Sequence, residues 1–249
     1  MKWEFAKTRE VLRSLPTDGA RALEVAAGHG SFLDLCVPEI FSPHHVTATE
    51  FSDESVRVLR GKGYEAVRAD IRAEELKPRA RSFDFIFLFQ VIEHMDDLDG
   101  LFASLADLSK PGASIFVAVP NIRWIKYREA NRSLIDMPPT HIGRWTPEAF
   151  AAVAARHSLS VKTHEIEPFS AAKFVRDDLV FSHFERAYRR GTIANKARSL
   201  KSKRLRLVAE LAEAVTSAPS RFGALAKGLR GRQSMGGAAL WVHMTRDRS

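Results

Sequence analysis

The chain of 249 residues has a single cysteine, Cys36, which excludes an intramolecular disulfide and any thiolate metal cluster built within one chain. Cys36 sits among Phe32, Leu33 and Leu35 at helical spacing, so it is expected to be a small core residue and not a nucleophile. No stretch approaches the ~20 uncharged apolar residues that a membrane-spanning helix needs. The opening run Met1-Lys-Trp-Glu-Phe-Ala-Lys7 also lacks the apolar centre of a secretory signal, so a cytoplasmic protein is expected. Internal repeats and low-complexity tracts are absent as well, which argues against a solenoid or a disordered chain. Aromatics are scarce where positive charge is densest: between Gly191 and Lys227 there is only Phe222. A platform for stacking nucleic-acid bases is therefore poorly supported there.

What is present is patterned. Short apolar runs at Ala22–Val25, His45–Thr49, Glu65–Ala69, Phe83–Phe89 and Ser114–Val119 read as strands. Helical patterns at Ser31–Cys36, Asp53–Arg60 and Leu98–Leu108 lie between them, and Lys110-Pro-Gly112 reads as a helix stop and turn. Phe83-Asp-Phe-Ile-Phe-Leu-Phe89 is almost wholly apolar, as a central parallel strand covered on both faces should be. Further along, Trp124–Arg132 looks helical, and Thr146-Pro-Glu-Ala-Phe150 carries an N-cap, a first-position proline and a first-turn acid. Leu159–Ile166 forms a sixth strand, and Gly236 to Thr245 returns as a terminal one. The expected fold is α/β: a doubly wound, mostly parallel, seven-stranded sheet in one domain over 1–249, with a basic helical insertion at 169–234 before the last strand.

The net charge of +8 belongs to that insertion. Arg186 to Arg232 holds 13 Lys and Arg against Glu210 and Glu213, which leaves the rest of the chain net negative. Ile193, Ala197, Leu200, Leu205, Leu207, Leu211 and Val215 recur at helical spacing among Lys196, Arg198, Lys201, Lys203, Arg204 and Arg206. The pattern fits a solvated helix packed on its apolar side. It equally fits a lid that attracts an anionic acceptor, a lipid-surface contact or an RNA contact; the first two of these are favoured over RNA.

Ligands of an open parallel sheet bind at the carboxyl ends of its strands, where strand order reverses. The first strand-to-helix turn is Ala26-Ala-Gly28-His-Gly30, with glycines that let backbone approach a ligand. A dinucleotide fingerprint would place a third glycine at Leu33, and its absence counts against a nicotinamide cofactor. Glu24, inside the strand before the loop, could face a cationic ligand group or make a structural hydrogen bond. Glu50 ends the second strand beside Phe51, placed to accept both hydroxyls of a ribose. Asp70 beside Ile71 could bind an adenine amino group while the apolar neighbour packs on the ring; Asp70 could equally cap a helix. Gln90 opens Gln90-Val-Ile-Glu93-His94 at the same sheet edge. His94, and His141 in Pro138-Pro-Thr-His-Ile-Gly-Arg-Trp145, are candidate general bases near the acceptor, though a loop-anchoring role fits His141 as well. Glu93 reads as positional and His29 as contributing through its backbone. No metal is expected: His44, His45, His157, His164, His183 and His243 show no ligand grouping.

Taken in order, Leu23-Glu-Val-Ala-Ala-Gly-His-Gly30, Thr49-Glu-Phe51, Ala69-Asp-Ile71, Phe83-Asp-Phe-Ile86 with Gln90-Val-Ile-Glu-His94, and Lys110-Pro-Gly112 with Val119-Pro-Asn121 resemble one family. It is the class I, seven-stranded S-adenosylmethionine-dependent methyltransferases, in particular the broad group that includes the ubiquinone-biosynthesis O-methyltransferases. The likeness covers about residues 20–165 and the last strand. It implies S-adenosylmethionine as cofactor, with the loop at Ala26, Gly28 and Gly30 supporting the methionine moiety, Glu50 holding the ribose and Asp70 meeting adenine. It also puts the Glu93-His94 pair at the methionine end. One departure is visible: the family has glycine where this chain has Ala26. The expected activity is methyl transfer to a small-molecule acceptor, most readily an oxygen, and the acceptor is expected to be anionic or lipid-associated. RNA methylation through the basic segment, or a non-catalytic binding module, are the alternatives.

Overall fold

The computed structural model describes residues 1–130, 133–177, 188, 190–198, 202–230 and 235–248. Its sheet has seven strands in the order β3-β2-β1-β4-β5-β7-β6. These are β1 (Ala22–Val25), β2 (Val46–Glu50), β3 (Glu65–Arg68), β4 (Phe83–Phe89), β5 (Ser109–Pro120), β6 (Leu159–Ile166) and β7 (Ala239–Arg246). The pairs among β1 to β5 are parallel, and β7 runs antiparallel to both β5 and β6. Strand order reverses between β1 and β4, so the crevice for a ligand opens above those two strands.

β4 shows how the sequence builds this sheet. Its residues alternate between two cores: Phe85, Phe87 and Phe89 enter one, Ile86 and Leu88 the other. The first core is rich in rings. Phe32 lies 4.7 Å from both Phe87 and Phe89, and Phe116 stacks on Phe87 and Trp241. The second holds aliphatic residues of β1, β4, β5 and β7 with Phe102, Trp145 and Phe150. Cys36 is fully buried on the aromatic side, and burial pushes its thiol up to about 12, which leaves it inert as a nucleophile.

Helix α1 (Trp3–Leu12) packs on the aromatic side, where Trp241 Nε1 donates to Thr8 Oγ1 at 2.8 Å. Helices α2 (Leu33–Cys36) and α3 (Asp53–Gly61) follow β1 and β2, and α4 (Leu98–Leu108) precedes β5. α5 (Ile122–Ala130) begins two residues earlier than Trp124; residues 131–132, the expected end of that helix, lie outside the described residues. α6 (Pro147–Ala154) starts as its sequence dictates, with Thr146 Oγ1 accepting from Ala149 N at 3.2 Å.

The start of β5 differs most from the sequence reading. Lys110-Pro-Gly112 does stop α4, but the chain pairs with β4 immediately at Ser109 and bulges before rejoining it at Ser114. Phe83 faces Ser109 and Phe85 faces Ser114, so residues 110–113 stand opposite Asp84 alone and three of the four are surplus to the ladder. Proline cannot donate to a ladder, and Gly112 takes φ +80°, which only glycine adopts cheaply. Lys110 Nζ anchors the bulge to Asp84 Oδ2 at 2.7 Å. A turn is there, but it lies inside a strand.

The chain divides into two compact units. The sheet unit comprises 1–121, 141–167 and 239–249, and the second comprises 122–140 and 168–238. In the second, Trp124, Phe174 and Met235 are buried together, and Arg128 holds Asp136 at 3.1 Å through both carboxylate oxygens. Its helix Lys203–Arg230 overturns one expectation. Leu205, Leu207, Leu211 and Val215 do not pack but are 58–74% exposed, among the exposed Lys203 and Arg204. Of the expected pattern, Leu200 and Lys201 lie outside the described residues, as do His183, Arg186, Arg189 and Arg232, and the side chains of Ala197, Arg198 and Arg206. Among the described residues no helix is long and apolar enough to cross a membrane.

Candidate active site

The loop after β1 bends through three left-handed residues in five: Ala26 at φ +51°, Gly28 at +57° and Gly30 at +78°. Gly30 is required twice over, because a Cβ there would also stand 2.9 Å from Leu59 Cδ2. Ala26 occupies a conformation that costs an L-residue about 1–2 kcal/mol, which explains physically why glycine suits that position. The loop is tied to the end of β2. Ala27 N donates to Thr49 O at 3.0 Å, Ala26 N reaches Thr49 Oγ1 at 3.4 Å, and Gly28 N donates to Glu50 Oε1 at 2.7 Å. Glu50 Oε2 accepts from Phe51 N at 2.8 Å. Each carboxylate oxygen has two lone pairs, so Glu50 is fixed in place while retaining acceptor capacity.

A cleft of about 350 Å³ opens beside this loop. Of the residues singled out from the sequence, Ala26, Glu50, Phe51, Asp70, Ile71, Gln90 and His94 line it, together with Val25, Thr49, Arg72 and Met95 among others. Gly28, Gly30, Glu24 and His141 are not in that lining. Gly28 and Gly30 shape the loop. Glu24 is buried within β1, its Oε2 has no hydrogen-bond partner among the described residues, and burial raises its carboxyl well above the usual range.

Sequence reasoning missed Arg72. Its backbone N and Nε both donate to Asp70 Oδ1 at 2.8 Å, and a terminal nitrogen reaches Asp70 Oδ2 at 2.9 Å. The other terminal nitrogen donates to Asp96 O at 2.9 Å and Asp96 Oδ1 at 3.0 Å. Arg72 thus joins the end of β3 to the loop after β4, and its hydrogen bonds hold the Asp70 carboxyl below its ordinary value. The spacing Asp70-Ile-Arg72 was visible in the sequence; its link to Asp96 was not.

The far end of the cleft is built on the turn Ile92–His94. Gln90 leaves β4 at φ +59° and its N–H donates to Ala118 O at 2.7 Å, which redirects the chain. Glu93 is buried, and its carbonyl accepts from both Ile142 N and Gly143 N at 2.9 Å. That clamp brings His141 beside His94, ring centroids 4.8 Å apart and edge to face. Donor atoms of Glu93, His94 and His141 all lie within 4.8 Å of one another.

A seven-stranded sheet with its last strand reversed between β5 and β6, and a left-handed loop over its switch point, defines the class of S-adenosylmethionine-dependent methyltransferases. Comparison with known proteins agrees: the sequence profile described as "Methyltransferase domain" matches residues 3–164, and the chain belongs to that family. It is 27% identical over 184 residues to a ubiquinone biosynthesis O-methyltransferase of Sinorhizobium medicae, covering 72% of this chain and 66% of the relative. A protein of the same description from Chelativorans sp. is 32% identical over 143 residues, covering 56% and 53%. The chain thus spans between about half and two-thirds of the length of these relatives. In fold it is similar to an S-adenosylmethionine-dependent methyltransferase from Mesorhizobium loti, with a TM-score of 0.58 at 15% identity over 95% of this chain and 96% of the other.

Proposed function

We propose that the chain transfers the sulfonium methyl of S-adenosylmethionine to a hydroxyl oxygen of a small molecule. The observation that carries this reading is Glu50, pinned at the mouth of the loop by the backbone N–H groups of Gly28 and Phe51 and more loosely by that of Ser52 at 3.5 Å, with acceptor capacity left over. In this reading Glu50 accepts both ribose hydroxyls, while Asp70 and Ile71 meet the adenine edge and face. Phe51 and Gln90 border the nucleoside. The loop at Ala26, Gly28 and Gly30 supports the methionine end, near the buried Glu24. His94, with His141 against it, stands where the acceptor enters and its proton must depart. In-line displacement from a sulfonium depends chiefly on positioning, and a cleft formed by four strand ends provides it.

An oxygen acceptor is supported by the names of the relatives. An anionic or lipid-associated one is supported by the exposed Lys203 and Arg204 beside the exposed Leu205 and Leu207. Residues 169–234 fit as an insertion in one methyltransferase domain, because the chain leaves after β6 and returns in β7, the strand paired with it. Titration calorimetry of the full chain with S-adenosylmethionine tests the core of the proposal: one site is expected, and absence of binding sinks it. Glu50→Ala should weaken that binding at least ~10-fold, a loss of about 1.4 kcal/mol. Wild-type affinity in the variant would refute the ribose assignment.

A further inference from the structure

We propose that Arg72 is a positioning residue that makes Asp70 selective for a 6-aminopurine, and that Asp96 sets Arg72 from the loop after β4. The proposal rests on the reading of Asp70 as the partner of adenine, and goes beyond it by assigning what fixes that carboxylate. Asp70, Arg72 and Asp96 line the same cleft, although 24 positions separate Arg72 from Asp96.

A carboxylate at a strand end turns about its own bonds unless it is held. Arg72 holds both oxygens of Asp70. Its backbone N and Nε each donate to Oδ1 at 2.8 Å, and a terminal nitrogen donates to Oδ2 at 2.9 Å. Oδ1 is thereby saturated, whereas Oδ2 accepts one bond among the described residues and keeps one lone pair. Asp70 therefore offers the cleft a single acceptor in a fixed direction. The same bonds hold its carboxyl below the ordinary value, so it stays ionised and has no proton to donate.

Arg72 is itself held. Its guanidinium is planar, so bonds on two sides fix the plane as well as the position. The second side is Asp96, whose carbonyl and Oδ1 accept at 2.9 and 3.0 Å. The Asp96 side chain is 81% exposed, so it contributes less than its carbonyl. The chemistry of the base follows from this arrangement. The 6-amino group of adenine donates, and a fixed acceptor receives it. The 6-oxo group of hypoxanthine accepts, and meets Oδ2 lone pair against lone pair. A fixed carboxylate separates the two bases, whereas one free to turn away does not.

The test is titration calorimetry of the full chain with S-adenosylhomocysteine and S-inosylhomocysteine, which differ only at the base. Wild type should prefer the adenosyl ligand at least ~10-fold, the scale of one hydrogen bond to a charged acceptor. Arg72→Met should lower adenosyl affinity by about that factor and change inosyl affinity less than ~3-fold, bringing the two near parity. A merely structural role would weaken both ligands alike, and that result would overturn the proposal. Arg72→Lys keeps the charge without the fork and should recover less than half of the selectivity; full recovery would also overturn it. Asp96→Ala should lower selectivity about 2-fold. Should Arg72→Met fail to fold, Arg72→Lys and the exposed Asp96→Ala carry the test, and unchanged selectivity in both would refute it. Asp70→Asn separates the proposal from the reading beneath it. Selectivity lost in Asp70→Asn but kept in Arg72→Met overturns the role of Arg72 alone. Selectivity kept in Asp70→Asn, or a wild type that binds both ligands equally or neither, rejects the adenine assignment and the proposal with it.

Discussion

Replacing Ala26 by glycine should stabilise the protein, although glycine normally destabilises. Ala26 sits at φ +51°, where an L-residue is strained by about 1–2 kcal/mol and glycine is not. Against that gain stands the greater freedom of glycine in the unfolded chain, about 0.4–1 kcal/mol. The difference leaves a net stabilisation of roughly 0.5–1 kcal/mol, or about 1–4 °C in Tm for a domain of this size. The hydrogen bond from Ala26 N to Thr49 Oγ1 involves only backbone on the Ala26 side and survives the change. A matched control sharpens the measurement. Ala151 is exposed in the middle of α6, so Ala151→Gly should cost about 0.8–1 kcal/mol by helix propensity alone. Equilibrium urea unfolding of both variants gives opposite signs if the reasoning holds. A destabilised Ala26→Gly, with a loss like that of Ala151→Gly, would refute the claim that the loop stores strain at that position.

Three further outcomes are expected. Gly30→Ala should cost about 2 kcal/mol in urea unfolding, because it adds left-handed strain at φ +78° to a contact 2.9 Å from Leu59 Cδ2; a neutral result would mean the loop relaxes freely. His243 is stacked on Phe116 at 4.5 Å, and burial lowers its pKa to about 4, so folding favours the neutral ring. Its contribution is complete above the unfolded value of about 6.5 and is lost progressively as pH falls from there towards 4, reaching a deficit of about 2 kcal/mol at pH 5. His243→Gln should flatten that part of the stability profile, and an unchanged slope between pH 7 and 5 would contradict the assignment. Glu24→Gln should leave stability unchanged near pH 4 and raise it at pH 8. The raised folded-state pKa means wild type binds more protons folded than unfolded, and loses stability as pH rises from 4.5 through that folded-state value. If Glu24 faces the amino end of the cofactor, the same variant should lose affinity in calorimetry while gaining stability.

The elements legible in the sequence were those with uniform character. β1, β4, α4 and β6 stand at the residues expected, because each is an apolar or periodic run bounded by polar or turn residues. α1 was not legible. Its buried positions Glu4, Phe5, Thr8 and Leu12 have helical spacing, but two are polar, and Thr8 is explained only by Trp241, 233 positions away. The cleft followed the same division. Residues at the ends of β1 to β4 could be placed from strand order alone, and Ala26, Glu50, Phe51, Asp70, Ile71, Gln90 and His94 do meet there. Arg72, the clamp on Glu93 and the approach of His141 depend on loop–loop contacts that carry no periodicity. Exposure of Leu205, Leu207, Leu211 and Val215 was also hidden, since an apolar stripe says which face would pack but not whether a partner is available.

β7 is the last of the seven strands along the chain, yet it lies between β5 and β6. During synthesis the outer edge of β5 therefore stays unpaired until residues 239–246 have left the ribosome. β6, made some 70 residues earlier, has no neighbour to pair with until then. An open, largely apolar edge held for that long is a template for strand addition by another nascent chain. Emergence of residues 239–246, more than any earlier step, is thus the moment at which this sheet becomes safe from aggregation.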